Sequence, residues 1–315
     1  MKRYAAIDIG SQTIRLLIAD CDAEVLYPLE RAREIVLLGS GMQTNTLLPH
    51  RIEHAAACIQ RFCARARAHN VQEILAVATA CVRQARNRLD FTSRVRQSAG
   101  ISPAIISGQQ EAELSRAGVQ AVLPVKAGNT VIIDIGGGST ELSFISSGQF
   151  KSSLSLPMGV ITPAEQFMHT YPPSNAEIEA IRTWAGSLIA AHRVQLPLPK
   201  SGIPPVIIAT AGTATSLAAM DLKLQDYAPA CINGHLLSLM TINSLLQTML
   251  KLSAAHRGTL PGLESGRAAV IVPGTLILLQ LMKYFGSTAC AVSDAGLLEG
   301  IVIQHASLKK IIEKD

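Results

Sequence analysis

Apolar residues in this chain fall into short continuous runs and helically spaced sets, and the two kinds alternate. Residues 4–9 and 14–21 are β-like runs joined by the polar turn Gly10–Thr13, which predicts a hairpin. Over residues 51–69, Ile52, Ala56, Ile59 and Phe62/Cys63 recur on one face of a helix. A strand-like ILAVAT (74–79) then runs into the basic helix start CVRQARN, and PAIIS (103–107) precedes a helical EAELSRAGVQAVL (111–123). Pro124, Lys126, Gly128 and Asn129 mark the best boundary in the chain. The apolar stretch 268–282 predicts a buried helix entered through a break at Pro273–Gly274, and SLKKIIEKD at the end reads as an exposed, charged helix terminus. Strands alternating with helices predict a mixed α/β class.

Past the boundary the opening pattern returns. VIIDIGGGSTELSFIS (131–146) repeats AAIDIGSQTIRLLIAD (5–20): strand, Asp-Ile-Gly, small hydroxylated turn, strand. A repeat as long as Asp8 to Asp134 implies duplicated domains, because solenoid repeats are far shorter. A third turn of the same flavour, TAGTATS (210–216), follows the apolar run 206–209.

Composition narrows the classes. Hydrophobic residues make up 48% and charged residues 16%, below the usual ~25% charged, which argues for a large core and against disorder. No apolar stretch reaches the ~20 residues that span a bilayer. The N-terminus reaches Asp8 before a signal h-region could form, so a cytoplasmic location is expected. There are six cysteines, without CxxC or histidine at metal spacing, and most of them read as reduced core residues. A net charge of +5 with 4% aromatic residues gives no nucleic-acid footprint and is compatible with a small polyanionic substrate.

The chemistry sits in the turns. Consecutive glycines weaken a strand, so the run Gly136, Gly137, Gly138 marks either a tight turn or a place where something approaches the backbone closely. Loops of Gly, Ser and Thr expose N–H groups and hydroxyls that bind phosphate oxygens. Asp8 and Asp134 end strands just before such turns, and Glu141 is a third acid nearby; acids beside phosphates usually hold Mg²⁺. Neither GxxxxGK[ST] nor a strand-following GxGxxG is present. The repeat therefore points to a two-lobed phosphate clamp.

The two loops resemble those of the actin-like ATPase superfamily, and the chain from about residue 4 to 303 resembles the exopolyphosphatase/guanosine pentaphosphate phosphohydrolase (Ppx/GppA) family. The resemblance is carried, in order, by ATACVRQARN (78–87), ISGQQEAEL (106–114), SLPMGV (155–160), ATAGTATSLAAMDL (209–222), HRGTLPGL (256–263) and VSDAGLLEG (292–300). It implies two ribonuclease-H-like α/β domains, 1–125 with a C-terminal helix at about 300–315 and 126–299, their mixed sheets flanked by helices and a cleft between them. The longer members' C-terminal helical domain is not expected in this chain. The implied activity is hydrolysis of a terminal phosphoanhydride of polyphosphate or guanosine pentaphosphate with Mg²⁺ or Mn²⁺, in a homodimer. Glu111 is implied as the base that activates water and Arg83 as the cation on the phosphate chain, with Asn87 one turn on along the same helix face. Gly10, Ser11, Gln12, Thr13, Gly136, Gly137, Gly138, Ser139 and Thr140 are implied to hold terminal phosphates, and Gly212 and Thr213 to line the cleft. Asp8, Asp134 and Glu141 are the metal candidates. His235 reads as a loop or core histidine.

The chain departs from the family pattern at Gln12, where asparagine is usual, and at Gln110, which replaces the first of two adjacent acids. Leu37, Thr162, Ala269 and Leu298 stand where the family commonly carries charge. Two other readings therefore stay open: a regulatory protein that binds polyphosphate or guanosine alarmones without turnover, and an actin-like ATPase or kinase.

Overall fold

The computed structural model describes residues 1–22, 25–42, 44–125, 128–196 and 202–312. In chain order its elements are β1 (Lys2–Ile9), β2 (Thr13–Cys21), β3 (Leu26–Ile35), α1 (Pro49–Ala68), β4 (Glu73–Ala78), α2 (Ala80–Gln84), α3 (Arg88–Ala99), β5 (Ala104–Ile105) and α4 (Gly108–Val122). There follow β6 (Asn129–Ile135), β7 (Thr140–Ser146), β8 (Gln149–Leu156), α5 (Ile161–Phe167), α6 (Asn175–Ala191), β9 (Val206–Thr210), α7 (Ala211–Asp221), α8 (Pro229–Ile232) and β10 (Leu236–Ser238). The chain closes with α9 (Leu239–Leu250), α10 (Ala254–Arg257), α11 (Ile271–Phe285), β11 (Ala289–Val292) and α12 (Leu297–Ile312). They form two compact units: Met1–Ala121 joined by Ala295 onward, and Val122–Asp294. Lys126, part of the expected boundary, and residues 313–315 of the expected charged terminus lie outside the described residues.

In the first unit the sheet order is β3-β2-β1-β4-β5, with β1 antiparallel to β2 and parallel to β4. Alternation sends Ala5, Ile7 and Ile9 to a core built with α1, α2 and α3. Tyr4 and Ala6 on the opposite face pack with Leu114 of α4 and with Leu297, Leu298, Ile301 and Val302 of α12. The predicted helix over 51–69 is α1, and Ile52, Ala56, Ile59, Phe62 and Cys63 are buried as its period requires. Helices α4 and α12 meet backbone to backbone: a Cβ on Gly300 would lie 1.8 Å from the Leu114 carbonyl oxygen, and one on Gly118 would lie 1.9 Å from that of Gly296. Only glycine permits so close a crossing.

The second unit repeats the plan. Its sheet order, β10-β11-β9-β6-β7-β8, places β6, β7, β8 and β9 as β1, β2, β3 and β4 are placed in the first, with the short β10 added at the far edge. Val131, Ile133 and Ile135 join a core with α5, α6, α7, α9 and α11. Helix α11 begins at Ile271, so Pro273 and Gly274 fall inside its first turn rather than ahead of it. Proline is tolerated there because the first N–H groups have no helical acceptor. Of the six cysteines, five are buried and Cys231 is exposed. No described helix is long and apolar enough to cross a membrane.

Candidate active site

In the first unit, β1 turns into β2 through Gly10, whose N–H donates to the Thr13 carbonyl (3.1 Å). The carbonyls of the turn are held by the segment after β3. Gly39 N–H donates to Ser11 O (2.7 Å), and the N–H groups of Val36 and Leu37 both donate to Gln12 O (2.9 Å each). A Cβ on Gly39 would lie 2.9 Å from Ser11 Cβ and 3.2 Å from Cys81 Cβ, so this approach excludes a larger residue. Leu37, one of the positions where relatives carry charge, takes φ 51° to make its bond, a left-handed conformation that costs a non-glycine residue about 1–2 kcal/mol. Burial pushes the Cys81 thiol beneath this turn up to about 11, so it stays protonated and is no nucleophile.

Asp8, one residue before the end of β1, lies directly opposite Arg15 of β2 and is 3% exposed. Arg15 Nη2 (2.6 Å) and Nε (3.0 Å) both donate to Asp8 Oδ2, while the buried Oδ1 makes no hydrogen bond. Arg83 and Glu111, implied as cation and base, are brought together: Arg83 Nη1 donates to Glu111 Oε2 (3.0 Å) and to the Ile106 carbonyl (2.9 Å). Glu111 lies in the first turn of α4, where the helix dipole favours a carboxylate. Ser107 and Gln110 start that helix as a reciprocal cap: Gln110 N–H donates to Ser107 Oγ (3.1 Å) and Ser107 N–H donates to Gln110 Oε1 (2.9 Å). Gln110 is thus a capping residue that fixes where Glu111 sits.

Asn87 is placed differently from the expectation. Helix α2 ends at Gln84, because Arg86 N–H is drawn to the Asn45 carbonyl (2.8 Å), and Asn87 becomes the residue ahead of α3. It therefore does not share a helix face with Arg83. Its amide bonds both backbone groups of Leu47, with Nδ2 to O at 3.0 Å and N–H to Oδ1 at 2.9 Å.

In the second unit, Gly136 N–H donates to the Ser139 carbonyl (2.9 Å) across the equivalent turn. The turn's carbonyls are again held from behind, here by the end of SLPMGV: Val160 N–H donates to Gly136 O (3.1 Å) and Ile161 N–H to Gly137 O (3.0 Å). Among the described residues the N–H groups of Gly137, Gly138 and Ser139 make no backbone hydrogen bond. A Cβ on Gly159 would lie 2.2 Å from the Gly137 carbonyl oxygen, so Gly159 stands to this turn as Gly39 stands to the first. The Thr140 hydroxyl donates to the Met158 carbonyl, which makes Thr140 an anchor of the turn.

Asp134 and Glu141 face each other directly across β6 and β7, at 8% and 2% exposure. Ser155 of β8 donates its hydroxyl to Glu141 Oε1 (2.7 Å). Strand β9 runs beside β6 into Thr210, which precedes α7 as Thr79 precedes α2. At the start of α7, Ala211 has φ 64°, again a left-handed non-glycine at the site. The guanidinium of Arg267 lies on Gly212, where an added Cβ would meet its Nη1 at 1.6 Å, and Thr213 packs on Gly274. Arg267 is a cation at this turn that motif reading missed; its separation in sequence left no local signal. His235 is bound to Asp221 (2.8 Å) at the far end of α7, and so away from the turn. Leu298 has become core, Ala269 is exposed, and Thr162 lies half-buried in α5.

Two buried carboxylates placed directly opposite on adjacent strands repel unless a cation lies between them. Hard divalent ions that keep several waters use one or two carboxylates together with substrate phosphates. The Asp134–Glu141 pair fits Mg²⁺ or Mn²⁺ by this test. Among the described residues no larger group of His, Cys, Asp or Glu gathers for metal binding.

The family model described as the Ppx/GppA phosphatase family matches residues 17–309. The chain is 29% identical to Exopolyphosphatase 2 of Mycobacterium tuberculosis, over 97% of this chain and 99% of the relative. It is 27% identical to Exopolyphosphatase 1 of the same organism, over 96% and 88%. A crystal structure of the Aquifex aeolicus member of the family superposes with a TM-score of 0.81 at 29% identity, over 98% of each chain. The two helix-flanked mixed sheets are those of the actin-like ATPase fold.

Proposed function

This chain belongs to the Ppx/GppA phosphatase family, and on that premise we propose that it is a phosphoanhydride hydrolase that releases terminal orthophosphate from inorganic polyphosphate, guanosine pentaphosphate, or both. The polyphosphate half of the proposal draws on its similarity to the two mycobacterial exopolyphosphatases. The observation that carries it is the Gly136–Ser139 turn, whose carbonyls are tied back by Val160 and Ile161 while the N–H groups of Gly137, Gly138 and Ser139 make no backbone bond. A nest of N–H groups with its carbonyls turned away suits phosphate oxygens.

Phosphoryl transfer needs positioning and charge stabilisation more than covalent chemistry. Glu111 accepts the proton of the attacking water, and Arg83, its ion-pair partner, orients the carboxylate and can turn its other nitrogens to phosphate oxygens. Asp134 and Glu141 would hold Mg²⁺ or Mn²⁺, which supplies positive charge to the phosphate oxygens. Ser11, Gln12 and Thr13 line the first turn and Gly212 and Thr213 the start of α7, as further phosphate contacts. A cytoplasmic location and a homodimer belong to the same proposal.

The test is phosphate release from short polyphosphate, long polyphosphate, guanosine pentaphosphate and ATP, with and without Mg²⁺, against a Glu111→Ala control. Release from either of the first two substrate classes or the guanosine nucleotide, lost in the control, is the expected result. No release above the control from any of them sinks the proposal, and ATP turnover exceeding the rest replaces it with an ATPase.

A further inference from the structure

Helices α6 and α9 both pack on α11, and residues of all three line a cavity of about 350 Å³ near its C-terminal end. That volume lies in the range of small-molecule sites, which combine an apolar lining with a few polar groups. Leu279 and Met282 of α11 are buried and Leu239 of α9 is half-buried, which makes the floor apolar. Around it stand Arg182 of α6, half-buried, with Lys283 of α11 and Asn243 of α9, both exposed. Among the described residues no acid lines the cavity, so both of its charged groups are cations.

The protein makes little use of these two charges. Among the described residues the Lys283 ammonium has no hydrogen bond or ion pair. A lysine in the last turn of a helix complements the helix dipole. Here, however, the carbonyls of Met282 and Lys283 are already bonded by the N–H groups of Ser287 (3.0 Å) and Gly286 (3.2 Å). Arg182 has one ion pair, Nε to Glu179 Oε1 at 3.3 Å on its own helix, and that buried nitrogen makes no hydrogen bond. The Glu179 side chain is 71% exposed, and a pair so placed contributes little.

An apolar floor favours hydrocarbon, and a cationic rim favours an anion. A neutral hydrocarbon would leave both cations without a partner, and a bare inorganic anion would leave the floor wet. We propose that this cavity is a binding site for a small organic anion: one carboxylate or phosphate group, held by Arg182 and Lys283, on a short apolar body seated against Leu239, Leu279 and Met282. The site is separate from the phosphate chemistry. Thr213 packs on Gly274 at the other end of α11, about 13 Å along the helix from Lys283 at 1.5 Å per residue.

Octanoate is the probe, with 1-octanol, octylamine and acetate as controls, measured on the full chain by calorimetry and by thermal shift. Octanoate should bind at one saturable site per chain with a Kd on the order of 1 mM or tighter. It should also raise the unfolding temperature, because it binds only the folded chain. Octanol should bind about tenfold more weakly, and octylamine and acetate should not saturate. Arg182→Gln and Lys283→Gln should each weaken octanoate by about threefold, the scale of one partly exposed ion pair, and the double variant by about tenfold. Asn243→Trp, at an exposed helix position, should fill the cavity mouth and abolish binding while leaving the fold intact by circular dichroism. The proposal is overturned if octanoate does not saturate, if octanol or octylamine binds as well, or if the double variant and Asn243→Trp bind like wild type. It is overturned equally if octanoate competes with polyphosphate for the hydrolytic site, or if the double variant turns a dimer into monomers, which would make the cations a protein contact.

Discussion

Replacing Gly159 by alanine probes the close packing behind the glycine turn. The added methyl would lie 2.2 Å from the Gly137 oxygen, 2.4 Å from its carbonyl carbon and 2.5 Å from the Gly138 carbonyl carbon. All three are backbone atoms, so no side chain can swing away, and the two segments must separate by most of an ångström. The bonds from Val160 and Ile161 to the turn stretch with them. Overpacking costs ~1–3 kcal/mol and each of the two weakened hydrogen bonds up to ~1 kcal/mol, giving about 1–5 kcal/mol. Misplacing a reacting group by 1 Å costs ~100-fold in rate, so phosphate release should fall by about that factor even where the variant remains folded. Urea unfolding followed by circular dichroism, with phosphate release measured in parallel, reads both. Gly186 in α6 is the control, since nothing lies within 4 Å of a Cβ there. Gly186→Ala should stabilise by about 0.5–1 kcal/mol through helix propensity alone. If Gly159→Ala unfolds within 0.5 kcal/mol of wild type, on the ~1 kcal/mol scale of one hydrogen bond, and keeps its rate, the turn is not held in the way described.

Three further outcomes follow from particular contacts. Glu111→Gln should keep the fold and lower phosphate release by about 10²–10⁴, the usual worth of a positioned general base; undiminished release would remove Glu111 from that role. Ala211→Gly should raise stability by about 1 kcal/mol by relieving the left-handed φ of 64°, and an unchanged or lower urea midpoint would contradict it. Burial opposes ionisation of Glu177, but donors from Thr170, Ser174 and His169 outweigh it and hold the carboxyl down to about 2. A depressed carboxylate stabilises the fold above the ordinary glutamate range and loses that contribution as pH falls toward 2. The stability gap between wild type and Glu177→Gln should therefore narrow on acidification, and a gap independent of pH between neutrality and pH 3, inside the window of about 2 to 4.3, would refute the assignment.

Features written over short spans were legible in the sequence. The two Asp-Ile-Gly hairpins, the helix over 51–69 and the class of both sheets follow from local period and turn chemistry. Contacts that depend on distant segments were not. Gly39 and Gly159 are ordinary glycines until each is seen against its turn, and Arg267 touches Gly212 from across the second unit. Asn87 fits a helix continuing from Arg83 by spacing alone; a tertiary bond from Arg86 to Asn45 ends that helix first. The Ser174–Glu177 capping box of α6 was readable and would have placed that helix. Arg257 was not, because a basic residue in a polar loop looks exposed, yet it is fully buried with Nη1 on the Ala268 carbonyl and its guanidinium 5.6 Å from the Tyr171 ring. Burial pushes that guanidinium below its ordinary value.

The return of α12 to the first sheet orders events during synthesis. The second unit is one uninterrupted stretch, Val122–Asp294, whereas the first is finished only by residues from Ala295 onward. A ribosome adding ~5–20 residues per second delivers everything the second unit needs while Tyr4, Ala6, Leu17 and Val77 still await Leu297, Leu298, Ile301 and Val302. The half of the chain made first is therefore the half completed last, and an apolar sheet face stays open to chaperones, or to another nascent chain, until the final helix emerges.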